Sequence, residues 1–192
     1  MKKAKITLLL LLLIVNLKAQ ENKHEITLGG GIWSSTELLE RFADFWGHII
    51  TFGGYESNRT YYGAYHFGYK YNISERIGIG GTFAFEKSNS DHIFIKKKQG
   101  EYHNTFFTIA PEGDYKYLQK DKLTLYLLLG AGVTIRNERY SPNNGEQETR
   151  RIALFNFQAT PIAIKYGSKF GVFGELGIGY KGIICVGLFG RF

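Results

Sequence analysis

Apolar residues recur at every second position over most of this chain. Tyr61, Gly63, Tyr65, Phe67, Tyr69 and Tyr71 form one such row, and Ile77, Ile79, Gly81, Phe83 and Phe85 another. Leu123, Leu125, Leu127, Leu129, Ala131, Val133 and Ile135 continue it. So do Phe170, Val172, Gly174, Leu176, Ile178 and Tyr180, and finally Ile184, Val186, Leu188, Gly190 and Phe192. Successive strand side chains point to opposite faces, so a period of two makes each segment a strand with one apolar face. The pattern predicts eight strands, at about 24–33, 60–72, 75–86, 102–117, 122–136, 150–165, 169–180 and 183–192. Most exceed the about 5–6 residues of an ordinary globular strand. They reach the about 9–11 residues that cross a bilayer at a tilt.

The connections alternate in length. Tight links at 72–75, 118–121 and 166–168 follow the second, fourth and sixth strands. Long polar ones at 34–59, 87–101 and 137–149 follow the first, third and fifth, and the last hairpin turns at Lys181–Gly182. Short turns at one end and long loops at the other are the form of a bacterial outer-membrane barrel. The count becomes ten if 47–56 or 91–98 enters the sheet.

The less apolar faces carry charge in mid-strand, at Lys70, Glu112, Asp114, Lys116 and Glu175, with Arg76, Glu86, Arg136 and Arg191 nearer strand ends. Charges of both signs among glycines suit a narrow, paired interior network, which turns the apolar face outward. His66 and Arg191 are expected in that network. Trp33, Tyr61, Tyr62 and Tyr180 gather at one set of strand ends, and Tyr69, Tyr71, Tyr115, Tyr117 and Tyr166 at the other. Two aromatic belts at the lipid–water boundaries are expected. The alternative is a secreted soluble barrel of the lipocalin type, whose inside would be apolar.

Residues 1–19 read as a signal peptide. Lys2, Lys3 and Lys5 precede an apolar run from Ile6 to Val15, too short to span a bilayer, and Ala19 marks the expected cleavage point. The rest, 20–192, is one barrel domain. Cleavage changes the charge: of 24 basic and 17 acidic side chains, the first 19 residues hold four lysines and no acid, leaving 20 against 17, a net of +3. That balance removes the case for a nucleic-acid partner. The lone Cys185 excludes an internal disulfide and a Cys-based zinc site.

These features resemble the small outer-membrane β-barrel proteins of the OmpX/OmpA-type eight-stranded class, in a form common among Bacteroidota. The likeness covers nearly all of 24–192. It rests on the signal peptide ending Lys18-Ala19-Gln20, the aromatic–glycine alternation, and the terminal strand Ile184-x-Val186-x-Leu188-x-Gly190-x-Phe192. The resemblance implies an all-β, antiparallel, up-and-down transmembrane barrel without a cofactor. It also implies that Leu188 and Phe192 form the signal read by the barrel-assembly machinery. The class is functionally diverse, so it fixes place more than task.

Loop 34–59 opens with Ser34-Ser35-Thr36-Glu37, a capping-box spacing, followed by Leu38, Leu39, Phe42, Phe45 and Trp46 at helical intervals. It predicts a short helix at 34–48. The helix lies on the membrane, plugs the barrel mouth, or packs on its own loop, with Glu37, Glu40, Arg41 and Asp44 as a wet face. Lys96, Lys97 and Lys98 are candidate contacts to lipopolysaccharide phosphates, or the solvated tip of a hairpin. Outer-membrane lipid and an unidentified extracellular partner complete the expected partners of a monomer. For catalysis, Ser90-Asp91-His92 above Glu86 is the candidate for a lipid A-modifying enzyme, but the deacylase His-x-Ser-Asn signature is absent. A structural or surface-interaction role without catalysis is expected; the enzyme and a narrow conduit for a small apolar molecule are the alternatives.

Overall fold

The computed structural model describes residues 23–143 and 145–192; the signal-peptide segment 1–19 lies outside the described residues. The chain order is β1 (His24–Ile32), α1 (Ser35–Ile50), β2 (Tyr55–Asn72), β3 (Ile77–Phe94), β4 (Lys97–Lys120), β5 (Leu123–Pro142), β6 (Glu148–Gly167), β7 (Phe170–Gly179) and β8 (Ile184–Arg191). The eight strands form a closed antiparallel barrel in sequence order. β8 seals it against β1, with Leu28 opposite Leu188 and Glu25 opposite Arg191. Closure leaves no free edge over the shared height, which is what a sheet in lipid requires.

The alternation sets inside and outside. Leu129 and Val186 are exposed by 61% and 62%, whereas Thr134, Leu128 and Tyr126 are fully enclosed. Tyr69, Tyr115, Tyr117 and Tyr166 point outward at the end holding the tight turns, as a belt would. Two belt assignments at the other end fail. Tyr180 is buried and donates to Glu112 Oε1 at 2.7 Å. Tyr61 turns inward beneath Arg41, whose guanidinium lies 4.6 Å from the ring centre. The cause at Tyr61 is an irregularity between Tyr61 and Ala64, where Gly63 adopts φ +81°. A bulge adds one residue and exchanges the faces of everything beyond it. Ala64, His66 and Lys70 therefore face in below it, and Tyr61, Arg59, Ser57 and Tyr55 face in above it.

The strands are of unequal height. β1, β7 and β8 have 9, 10 and 8 residues, close to a bilayer crossing. β2 to β6 have 18 to 24. Segments expected as loops at 87–101 and 137–142 are instead continuations of β3, β4 and β5, so the strands lengthen and their number stays eight. Above the barrel proper, five strands rise as a projecting sheet without a facing wall.

Helix α1 stands against the inner face of that sheet. Ser34 caps it, accepting from Glu37 N at 3.1 Å, and Glu37 Oε2 accepts from Trp33 N at 3.1 Å. Of the expected wet face, Arg41 stays exposed and the three acids are packed. Glu37 and Glu40 are buried, and Asp44 is engaged by β2. The concave face here is lined by Arg59, Ser88, Asn104 and Arg136, so polar side chains turn toward it. Leu39, Phe42, Phe45, Trp46, Ile49 and Ile50 are left uncovered.

Candidate functional site

Within the barrel, charges from separate strands meet. Lys70 Nζ lies 2.9 Å from Asp114 Oδ2, and Lys181 Nζ lies 2.9 Å from Glu112 Oε1 and 3.6 Å from Glu175 Oε2. Tyr126 donates to Glu175 Oε1 at 2.6 Å. Glu25 accepts from Lys165 at 2.5 Å and from Arg191 at 3.0 Å. Lys116 donates to Asn72 Oδ1, and His66 Nε2 meets Cys185 Sγ at 2.9 Å. Of the seven residues read from the sequence, Lys70, Glu112, Asp114, Glu175 and Arg191 take part in interior ion pairs with Glu25, Lys165 and Lys181, while His66 contacts Cys185 and Lys116 contacts Asn72. Lys181 sits in a turn, where alternation carries no information about side-chain direction. Pairing and hydrogen bonding of this kind offset the cost of burying these charges.

A second polar cluster holds α1. Arg59 Nε and Nη2 donate to the two oxygens of Asp44 at 2.9 and 3.0 Å, and its Nη1 donates to Glu40 Oε1 at 3.0 Å. Glu40 also accepts from Ser88 at 2.8 Å and Asn104 at 2.6 Å, with Arg136 3.6 Å away. Below them Ser34 donates to Glu86 Oε1 at 2.5 Å, and Thr36 donates to its other oxygen. Burial pushes the Glu40 carboxyl above its ordinary value, with Arg59 pulling the other way. Arg59 is held protonated: burial works against the charge, but the Asp44 bonds and Glu40 outweigh it.

Higher on the same face, Tyr102 stacks on Tyr140 with ring centres 4.5 Å apart, and His92 lies 5.7 Å from Tyr102. Ser90 and His92 share this inner face but do not form a nucleophile–base pair. Ser90 Oγ meets Ser57 Oγ at 3.0 Å, while the His92 ring packs among tyrosines. Glu86 is committed to α1. No group of His, Cys, Asp and Glu among the described residues could hold a metal ion.

On the outer face, polarity switches across one row. Phe85, Phe107, Ile135 and Ala153 are lateral neighbours, and two residues further along each strand the neighbours are Lys87, Thr105, Asn137 and Arg151. The next row contains Asn89, His103, Arg139 and Thr149. Lys96, Lys97 and Lys98 lie at the distant tip of the β3–β4 hairpin, where Lys98 pairs with Asp91 at 2.8 Å and Glu101 at 2.5 Å. Leu188 points outward. Phe192 closes the ring, exchanging backbone bonds with His24 at 2.9 and 3.0 Å and stacking on its imidazole at 5.7 Å.

A closed ring of eight antiparallel up-and-down strands, apolar outside and ionic inside, defines the fold of a small transmembrane β-barrel. No protein-family model and no curated protein matches the chain. Among solved structures it is similar to the N-terminal β-barrel domain of Pseudomonas aeruginosa OprF, at 15% identity and a TM-score of 0.45, covering 90% of this chain and 100% of that one. It is also similar to Ail, the attachment invasion locus protein of Yersinia pestis, at 14% identity and a TM-score of 0.44, covering 88% and 95%. A second Ail structure, in complex with the heparin analogue sucrose octasulfate, matches at 13% identity and a TM-score of 0.44, covering 88% and 93%.

Proposed function

We propose that the chain is a monomeric outer-membrane protein that displays a helix-backed sheet at the cell surface for contact with another molecule. The observation that carries this reading is the one-row switch from Phe85, Phe107 and Ile135 to Lys87, Thr105 and Asn137. It supports a lipid boundary close to the end of β1, with the sheet above it in water. Residues 1–19 act as the export signal, cleaved after Ala19, and Leu188 with Phe192 is read by the assembly machinery. Lys87, Arg139 and Arg151 have no carboxylate partner among the described residues, and they sit at the height of anionic headgroups. They favour lipopolysaccharide phosphates as a partner, with Lys96 and Lys97 at the hairpin tip available to phosphates farther out and Lys98 held by Asp91 and Glu101. The uncovered stripe of α1 is large enough to mark a protein contact. The separate contacts of Ser90 and His92 favour a role without catalysis, and the ion pairs across the lumen favour a closed barrel over a conduit.

The test is membrane fractionation with a heat-dependent gel shift. The protein is expected in the outer membrane, with folded and boiled forms migrating differently. Recovery in the soluble periplasm with a single mobility would overturn the proposal.

A further inference from the structure

A hollow of about 430 Å³ opens between α1 and the inner face of the projecting sheet. Tyr55, His92, Phe94 and Tyr102 form its aromatic side, and Arg59, Asp44, Arg136 and Glu138 its polar side. Tyr55 and His92 have ring centres 5.6 Å apart, and Tyr140 backs the stack behind Tyr102. Gly100, opposite His92, lets β4 approach β5 closely, since a Cβ there would come within 2.6 Å of the Ser141 carbonyl oxygen and 2.8 Å of the Tyr140 ring. Two polar atoms in the lining are buried without a hydrogen-bond partner, His92 Nδ1 and Arg136 Nε. Such atoms ask for a partner that the chain itself does not supply.

We propose that this hollow binds an uncharged sugar ring, as a mono- or disaccharide. The charges of the lining balance: Arg59 pairs with Asp44, and Arg136 with Glu138. A phosphate or sulfate would meet two carboxylates, and an ammonium group two guanidinium groups, so neither ion gains net attraction. A purely apolar ligand would cover the Asp44 and Glu138 carboxylates and the Arg59 and Arg136 guanidinium groups without satisfying them. A hydroxyl both donates and accepts, and so fits a wall that offers donors and carboxylate acceptors together. The C–H faces of a sugar ring pack against the aromatic side, as ligands do in pockets with aromatic walls and a few fixed polar groups. The volume lies within the range of about 300–1,000 Å³ typical of small-molecule sites. The placement of this hollow outside the cell rests on the outer-membrane reading, but binding itself does not.

The experiment uses full-length protein folded in amine-oxide micelles, which carry no sugar headgroup. Saturation-transfer NMR is recorded with glucose, galactose, mannose, N-acetylglucosamine and lactose, and with glucuronate and inorganic phosphate as charged probes. The expected result is transfer to the C–H protons of at least one neutral sugar, with a Kd of about 1 mM or tighter. Tyr102→Ala and His92→Ala are expected to weaken it at least about tenfold while the heat-dependent gel shift stays intact. Lys97→Gln, on the hairpin tip, is expected to leave it unchanged. Three results overturn the proposal: no neutral sugar binding, equal or tighter binding of glucuronate or phosphate, or undiminished binding by folded Tyr102→Ala. Micelle binding together with absence of the protein from outer-membrane fractions would sink the location and leave the site standing.

Discussion

The Arg59 guanidinium donates to both carboxylate oxygens of Asp44, at 2.9 and 3.0 Å, and fastens α1 to β2 above the barrel. Arg59 is 10% exposed and shared with Glu40, so Arg59→Ala removes the positive charge that lies between two carboxylates. Removing one partner of such a pair costs about 3 kcal/mol. The expected outcome is faster hydrogen exchange and proteolysis across 35–50, with the heat-dependent gel shift retained. Unchanged protection of α1 would mean that the helix is held by something else.

Glu40 gives this docking a pH dependence. Its carboxyl value is raised in the docked state by burial, with Arg59, Arg136, Ser88 and Asn104 around it. A raised acid binds its proton more readily when docked. The resulting stabilisation is complete below the ordinary glutamate value and is lost as pH rises through the docked-state value. Exchange protection of α1 is expected to increase from pH 8 to pH 5, and Glu40→Gln is expected to flatten the profile. A profile that falls on acidification contradicts this.

Lys181 is shared by Glu112 and Glu175 in the lumen. Lys181→Met leaves those two acids facing one another, and refolding into vesicles should be weakened by about 3–5 kcal/mol in urea titrations. Restoring neutrality with the added change Glu112→Gln should recover part of the loss. No recovery would mean that Lys181 acts through its packing rather than its charge.

The basic side chains in the two rows above the proposed lipid boundary predict a selective effect on lipid binding. Changing Lys87, Arg139 and Arg151 to Gln together should weaken binding of bisphosphorylated lipid A by about 1 kcal/mol per charge, read by native mass spectrometry. Dephosphorylated lipid should be unaffected. Equal loss for both lipids would assign the effect to folding.

The barrel was legible in the sequence because a bilayer imposes one rule, apolar outward at every second residue, on all eight strands. The same rule reached Lys70, Glu112, Asp114 and Glu175, which interrupt long apolar segments. It stopped at the lipid boundary. In 87–101 both faces of the sheet are polar, the outer against water and the inner against α1, so no alternation marks Lys87 to Phe94 as strand. The bulge at Gly63 reversed the faces of β2 and carried Tyr61 to the inside. Lys181 and Tyr180 were hidden for another reason, since their side chains reach inward from a turn. The packed face of α1 was misread because its acids meet arginines from β2 and β5, which are remote in sequence.

The central claim is that the lipid boundary falls between Phe107 and Thr105 on β4, with the sheet above it in water. Single arginines at Leu129, Phe107 and Thr105, with unfolding free energies measured in phosphocholine vesicles, test it most directly. Leu129→Arg, in the middle of the apolar band, should cost about 2–4 kcal/mol, and Phe107→Arg about 1. Thr105→Arg, one row higher, should cost nothing measurable. Equal costs at all three positions, or the largest at Thr105, would contradict the account.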